Sequence, residues 1–360
     1  MKCVWDFNER VIIMNSKERV HTALAFEEPD RPPVYAAFVP EIARQLRLAT
    51  GTEEYDLGAG MGNDMVLLPQ GFANGYYLKD QDEYTCEWGC RWRRVKNSTG
   101  EYTEVFERPL ERNPALLDSY RIPDAENGER YRDDLKKVRQ YGETHWIVGS
   151  EPCSIFEASW GIRGLENLLM DMMTEPDFAH ALFDKVMQFP LSAGKKHIEM
   201  GADMLWLGDD VATQQNLMMS LSTWREFLKP RYAQLFAEYK KMNPAIKLAY
   251  HSCGNCEAIL DDMAEIGLDV INPVQPAAMD PVKIKQRYGK RLALFGGLCV
   301  QYILPGGTPG DVRCEVRRLK AEVGRGGGYI LAPAHNIQSD TPVQNILSFY
   351  EEALKSGGAL

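Results

Sequence analysis

His251-Ser252-Cys253 is the pair of side chains whose types and spacing point most directly to chemistry. Imidazole and thiolate are both good zinc ligands, and on extended backbone residues i and i+2 point the same way. One more His or Cys from another strand would complete a three-ligand site with one open position, the form a catalytic metal takes. The same two residues also read as a packed thiol beside a hydrogen-bonded imidazole. Cys256 follows at C-x-x-C spacing; redox use is open to it, but a cysteine packed at the start of the next helix is the simpler reading. Asp209-Asp210 offers a general base, a metal or substrate contact, or a helix cap.

What would position these groups is a run of short apolar segments alternating with helical ones. WIVGS (146–150), MLWLG (204–208), KLAY (247–250), VINPV (270–274), LALFGG (292–297) and YILAP (329–333) read as strands, each followed by a helical stretch. VYAAF (34–38) reads as a further buried strand. This is the pattern of parallel α/β proteins. Asp209 and Asp210 follow MLWLG, and His251 and Cys253 follow KLAY. Asn272 and Gln275 lie at the end of VINPV, Gly296 and Gly297 close LALFGG, and His335 follows YILAP. Five consecutive strands thus end in polar, ligand-type or flexible residues. In a (β/α)8 TIM barrel those ends converge on one mouth, where active sites sit. Glu151 and Glu157, after WIVGS, are candidates for substrate contact. No early strand is followed by G-x-G-x-x-G, which argues against a dinucleotide-binding sheet.

Helix starts are marked in several places. Ser16 reads as the N-cap of KERVHTALAF, while Thr174-Glu175-Pro176-Asp177, Thr308-Pro309-Gly310-Asp311 and Thr341-Pro342-Val343-Gln344 read as openings of longer helices. Residues 82–95 alternate polar and aromatic and suggest a hairpin, with Cys86 and Cys90 structural within it. The run Arg91-Trp92-Arg93-Arg94 reads as a solvated strand face, and Trp160 and Trp206 as core. Residues 1–14 read as an extension preceding a single barrel over 15–360.

The 360 residues are 44% hydrophobic and 26% charged, enough for a large core. A formal net charge of −10 argues against a general nucleic-acid binder. No apolar run approaches the ~18 residues of a membrane span, and the first residues lack a signal peptide's apolar core, so a cytoplasmic location is expected. Eight cysteines (3, 86, 90, 153, 253, 256, 299 and 314) are scattered through the chain, which favours free thiols or metal ligands over disulfides.

Several segments carry a resemblance: NSKERVHTAL with DRPPV, GDD with STWREFLKPRY, YHSCGN, GLDVINPVQP, LFGGL, LPGGTPGDV and GGGYILAPAHNIQSDTPVQNI. From about Met14 to the C-terminus the chain resembles the uroporphyrinogen decarboxylase superfamily. The resemblance implies a (β/α)8 barrel and two alternative chemistries. One branch decarboxylates a carboxylate-rich substrate without a cofactor and clamps it with an arginine-rich segment after the first strand. Here that segment reads VYAAFVPEIARQL and lacks the Arg-Gln-Ala-Gly-Arg pattern, so the substrate's carboxylates would lose their Arg forks. The other branch holds zinc methyltransferases that work with methyl-corrinoid proteins, marked by His-x-Cys and a distant Cys. His251 and Cys253 match the first part, and His335 stands where the distant Cys is expected. Cys299 and either aspartate compete for the third ligand position. On this branch Zn²⁺ would sit on His251, Cys253 and His335, and Asp209, Asp210, Asn272, Gln275 and Glu151 would act on or orient a small methyl donor or acceptor such as a methyl ether, a thiol or tetrahydrofolate. The corrinoid would arrive on a partner protein, since no cobalamin-binding motif is evident here. The family includes monomers and homodimers. A barrel kept only as a binding subunit is the non-enzymatic alternative.

Overall fold

The computed structural model describes residues 14–69, 81–97 and 100–356, so the expected N-terminal extension lies outside it apart from Met14. Ten strands are present among the described residues: β1 Met65–Leu68, β2 Glu83–Thr85, β3 Arg91–Asn97, β4 Gly100–Glu107, β5 Trp146–Glu151, β6 Met204–Gly208, β7 Lys247–His251, β8 Val270–Val274, β9 Ala293–Leu298 and β10 Tyr329–Pro333. Seven of them form one sheet in the order β1-β5-β6-β7-β8-β9-β10, and every neighbouring pair is parallel. Helices bridge the strands, the longest being Pro176–Glu199, Lys229–Met242 and Pro309–Glu322. Strands β5, β8, β9 and β10 are buried throughout, which is why their sequences are unbroken apolar runs rather than alternating ones.

The two faces of this sheet have different neighbours. Ile147, Leu205, Leu207, Leu248, Ile271 and Leu294 join the core made with the helices. Val148, Met204, Ala249, Val270, Phe295 and Ile330 pack with one another on the opposite, inner face, along with Tyr35 and Trp206. Side chains alternate along a strand, so this division assigns each strand-end residue to a face.

Residues 34–38 depart from the expected strand. They make single parallel bridges, Val34 to Leu331 and Phe38 to Ile337, rather than a ladder. The Tyr35 N–H donates to the Leu331 carbonyl at 3.1 Å, and the Leu331 N–H to Pro33 at 2.8 Å. Toward β1 the Asp64 N–H donates to the Val34 carbonyl at 2.8 Å, and side chains make the remaining ties. The Val34 N–H donates to Asp64 Oδ2 at 2.7 Å. Asn63 accepts from the Ala36 N–H and donates to its carbonyl, both at 2.9 Å. The segment therefore ties β10 to β1 without being a regular strand, and the hydrogen-bonded sheet has seven strands rather than the expected eight.

Other boundaries differ locally. Asn15, not Ser16, caps the first helix, in a reciprocal box with Glu18. Thr174 ends the preceding helix by bonding the Met170 carbonyl, so the helix from Pro176 has no side-chain cap. Thr308 with Asp311 does form a capping box. The expected hairpin near 82–95 is a three-stranded antiparallel sheet, β2-β3-β4. Cys86 and Cys90 are buried at its turn, and Arg91 and Arg93 lie on its exposed side with Glu107 and Glu104. Among the described residues no helix is long and apolar enough to cross a membrane.

Candidate active site

His251 is the last residue of β7 and shares its face with Ala249. Beside it on β8 is Asn272, its register partner. His251 Nδ1 lies 2.6 Å from Asn272 Oδ1. The Asn272 Nδ2 donates to the Phe295 carbonyl at 3.4 Å, which leaves Oδ1 to face the imidazole. An amide oxygen only accepts, so Nδ1 carries a ring proton, and in the neutral ring the lone pair is on Nε2. That lone pair points to the Cys253 thiol, 3.5 Å away. His335, just past β10, closes the group: its ring centroid is 6.0 Å from that of His251, and one donor atom each from His251, Cys253 and His335 lie within 4.8 Å of one another. His251 and Cys253 are half-buried, and His335 faces the opening.

The donor set suits a metal ion. Ligand atoms around a tetrahedral zinc sit about 3.5 Å apart, so only a small closure of His335 is needed. The second ring nitrogen of His251 is already held by an outer partner, as metal-bound imidazoles usually are. Without a cation the Cys253 thiol is pushed well above its ordinary range by burial and by the nearby Asp210 and Glu157. Burial, with the charge that a protonated His251 would bring, pushes His335 down, which favours the neutral ring with its one free nitrogen lone pair. Cys299, the expected competitor, is buried at the end of β9 and is not part of this group.

The two aspartates separate completely. Asp210 lies beside the group: its Oδ1 accepts the Cys253 N–H at 2.7 Å and is 3.5 Å from His251 Nε2. Its own N–H donates to Glu157 Oε2 at 3.1 Å. Asp209 points the other way and is fully buried. Its carboxylate takes the N–H groups of Ile155, Phe156 and Glu157 at 2.8–3.1 Å, together with the Tyr232 hydroxyl. It therefore caps the helix Phe156–Arg163, with its pKa pushed up to about 6 by burial despite those bonds, and no lone pair is left for the mouth. Glu151 also faces the helices, bonding His197 Nδ1 at 2.8 Å in a fully buried position. Gln275 reaches the mouth loops: its Oε1 accepts from Gly254 N–H at 2.9 Å, and its Nε2 donates to Gln214 at 2.9 Å and Gln301 at 3.1 Å. The structure thus brings together His251, Cys253, His335, Asp210 and Asn272, with Gln275 bracing the surrounding loops. Asp209 and Glu151 stand behind them.

Two further neighbours stand at the cluster, Glu157, already a candidate from the sequence, and Cys153, which the sequence did not mark. Glu157 is held well above the carboxylate range by burial and by Asp210 and Asp209, and its carboxyl hydrogen-bonds the Cys153 side chain. Cys153 has φ +54°, a left-handed conformation uncommon for a non-glycine residue and often found at functional loops. Beneath the cluster, Trp206 is 6.0 Å from the His251 ring and stacks edge-on with Tyr35.

A family model for uroporphyrinogen decarboxylase matches residues 95–355. The chain belongs to the uroporphyrinogen decarboxylase family. Within that family it is 28% identical over 197 residues to a methylated-thiol–coenzyme M methyltransferase of Methanosarcina mazei, covering 54% of this chain and 49% of that one. It is likewise 28% identical over 197 residues to a methylcobamide:CoM methyltransferase of Methanosarcina barkeri, covering 52% and 54%. A uroporphyrinogen decarboxylase of Chlorobium limicola is 27% identical over 268 residues, 70% of this chain and 74% of that one. The chain spans about half the length of the methyltransferases it matches. A solved methyltransferase structure from Methanosarcina mazei superposes with a TM-score of 0.71 over 95% of this chain and 98% of that one, at 21% identity. That likeness bears out an α/β fold built on a parallel sheet.

Proposed function

We propose that this family member is a methyltransferase that works with a methyl-corrinoid protein and holds Zn²⁺ on His251, Cys253 and His335. The observation behind this is the donor cluster itself, with His251 Nε2 freed by Asn272 and aimed at Cys253. Two relatives whose names specify methyl transfer to coenzyme M support the reading. We further propose that residues 34–38 stand as the eighth strand of a closed (β/α)8 barrel, given their bonds to both β10 and β1.

When bound, the metal would supply Lewis acidity, lowering a thiol's pKa or polarising an ether oxygen. The chain's residues do the positioning. Asn272 fixes the imidazole, and Asp210 anchors the Cys253 backbone and faces the substrate. Gln275 holds the loops after β6, β7 and β9 around the opening. Asp209 acts one step removed, by fixing the helix that carries Glu157.

The test is metal content with turnover. Purified protein should hold about one zinc per chain, His251→Ala should lose it, and only the zinc form should move a methyl group between a corrinoid and a small thiol or ether. Protein that takes up no added zinc would remove this reading.

A further inference from the structure

Cys86 and Cys90 take no part in the chemistry proposed above. They flank the turn between β2 and β3, where Thr85 pairs with Arg91. The Cys86 N–H donates to the Cys90 carbonyl at 2.9 Å, and the Gly89 N–H to the Cys86 carbonyl at 2.9 Å. Gly89 takes the left-handed conformation, φ +75°, that closes a three-residue hairpin loop. The two cysteines therefore stand directly opposite each other at the end of the ladder. Cα atoms of a hydrogen-bonded antiparallel pair lie about 5.5 Å apart, inside the roughly 4.4–6.8 Å that a disulfide spans. Both side chains are on the buried face of the small sheet, with Tyr84 and Trp92, so the sulfurs face the same way.

The two sulfurs have different surroundings. The bond from the Cys90 side chain, helped by the Trp92 side chain and by the Cys90 and Trp88 N–H groups, prevails over burial and holds the Cys86 thiol below its ordinary range, at about 6. Cys90 is pushed up by that same bond and by burial, and so keeps its proton. Its thiol also lies 3.2 Å from the Gly161 carbonyl, in the helix Phe156–Arg163. One sulfur is thus prepared as a nucleophile, and a second is in reach to displace whatever the first binds. Among the described residues no third His, Cys or carboxylate joins them, which leaves the pair short of a structural metal's ligand count.

We propose that Cys86 and Cys90 form a thiol–disulfide exchange site that reacts with a low-molecular-weight disulfide. The Cys86 thiolate attacks one sulfur of that disulfide, forming a mixed disulfide and releasing a small thiolate. The Cys90 sulfur then attacks Cys86 Sγ, the Cys86–Cys90 bond forms, and the second small thiol leaves with the Cys90 proton. The protein dithiol is oxidised and the external disulfide reduced. Cys86 is 8% exposed and Cys90 3%, so the first attack waits on local opening of the hairpin tip. In the oxidised form Cys90 has no hydrogen to give, and the turn loses its thiol tie to the helix that carries Glu157.

The test follows the thiols by mass. The full chain is incubated with oxidised glutathione, quenched in acid, alkylated with N-ethylmaleimide in denaturant and cut with trypsin. Cleavage after Lys79 and Arg91 gives the peptide DQDEYTCEWGCR, which holds Cys86 and Cys90 and no other cysteine. It is expected unlabelled and lighter by two hydrogen atoms, and doubly labelled again after dithiothreitol. Cys90→Ser should stop at a mixed disulfide on Cys86, and Cys86→Ser should leave Cys90 modified at least tenfold more slowly than Cys86 is in the wild type. The wild-type peptide decides the matter even if a variant fails to fold. A doubly labelled wild-type peptide once the exposed Cys314 has fully reacted, a mixed disulfide that persists in the wild type, or equal modification of the two variants would overturn the proposal.

Discussion

Asn272 and His251 stand side by side on adjacent parallel strands, and the 2.6 Å contact between Asn272 Oδ1 and His251 Nδ1 decides which imidazole nitrogen faces the mouth. Asn272 is thus a positioning residue for the cluster. Replacing it with Ala frees the ring to rotate and to protonate either nitrogen. Loss of such an outer partner typically costs about 10–100-fold in metal affinity. Asn272→Ala should weaken zinc binding by that order in a chelator competition, and Asn272→Asp, which keeps an acceptor, should recover most of it. Equal affinity in all three proteins would mean that packing alone orients the ring.

Asp209 and Asp210 are neighbours in sequence with opposite tasks, so their substitutions should fail differently. Asp209 accepts three backbone N–H groups and a hydroxyl in a fully buried position. Asp209→Ala strands those donors and should lower the unfolding free energy by on the order of 3 kcal/mol. Zinc stoichiometry of the protein that remains folded should not change. Asp210→Ala loses one bond to the Cys253 N–H and should cost about 1 kcal/mol, while methyl transfer should fall roughly tenfold to a hundredfold through misplacement at the centre. Denaturant titration beside steady-state rates checks both; a stable but inactive Asp209→Ala would reverse the assignment.

Much of this layout was legible in the sequence, and strand parity explains where the reading stopped. Strand positions and the gathering of His251, Cys253 and His335 followed from apolar runs and what comes after them. Which strand-end residue faces inward needed the alternation of each strand to be carried past its end. On β6, Leu205 and Leu207 face the helices, and Asp209 continues that series while Asp210 joins Trp206 on the other. On β5, Ile147 faces the helices and Glu151 follows it to His197. The irregular segment 34–38 was read as a strand because its residues are apolar; on the β1 side, apart from the Asp64 N–H bond to the Val34 carbonyl, its partners are the side chains of Asp64 and Asn63, which no periodicity reveals. Cys153 and Glu157 meet across a strand–loop–helix junction whose left-handed residue is not glycine, so no turn signal marked it.

His197 is fully buried between two acids, with Nδ1 2.8 Å from Glu151 and Nε2 3.2 Å from Asp134. Burial pulls its pKa down, but the hydrogen bonds and charges of Asp134 and Glu151 prevail and raise it to about 9. A histidine titrates near 6.5 in an unfolded chain. Its contribution to stability is therefore complete below about pH 6.5 and lost as pH rises through about 9. The ceiling is on the order of 3 kcal/mol. Unfolding free energies measured in urea should fall between pH 7 and pH 10 (both values about one unit clear of the midpoint or more). His197→Gln should be roughly 3–5 kcal/mol less stable at pH 7, since it leaves a buried acid pair without its cation, and should show a flatter profile over that window. A parallel profile in the variant would assign the pH dependence to other groups.

Asp64 holds the tie between the sheet's two edges. It is fully buried and accepts from Arg19 at 2.6 Å, from Arg31 at 2.6 and 3.1 Å and from the Val34 N–H at 2.7 Å. Arg19 is also paired with Asp30 at 2.6 Å. One carboxylate thus joins the first helix, the segment after it and the start of β1. Removing it leaves two buried guanidinium groups short of an anion, a loss of roughly 3–5 kcal/mol by comparison with other broken buried pairs. Asp64→Asn keeps the shape and one acceptor oxygen but not the charge, and it should sit near the lower end of that range. The loss should be local before it is global: amide hydrogen exchange at Val34 and Tyr35 should quicken well before that of β6 and β7. Uniform exchange across the sheet in the variant would show that the Leu331 and Asn63 bonds and the Asp64 backbone bond hold the edges without the Asp64 carboxylate, which then serves only global stability.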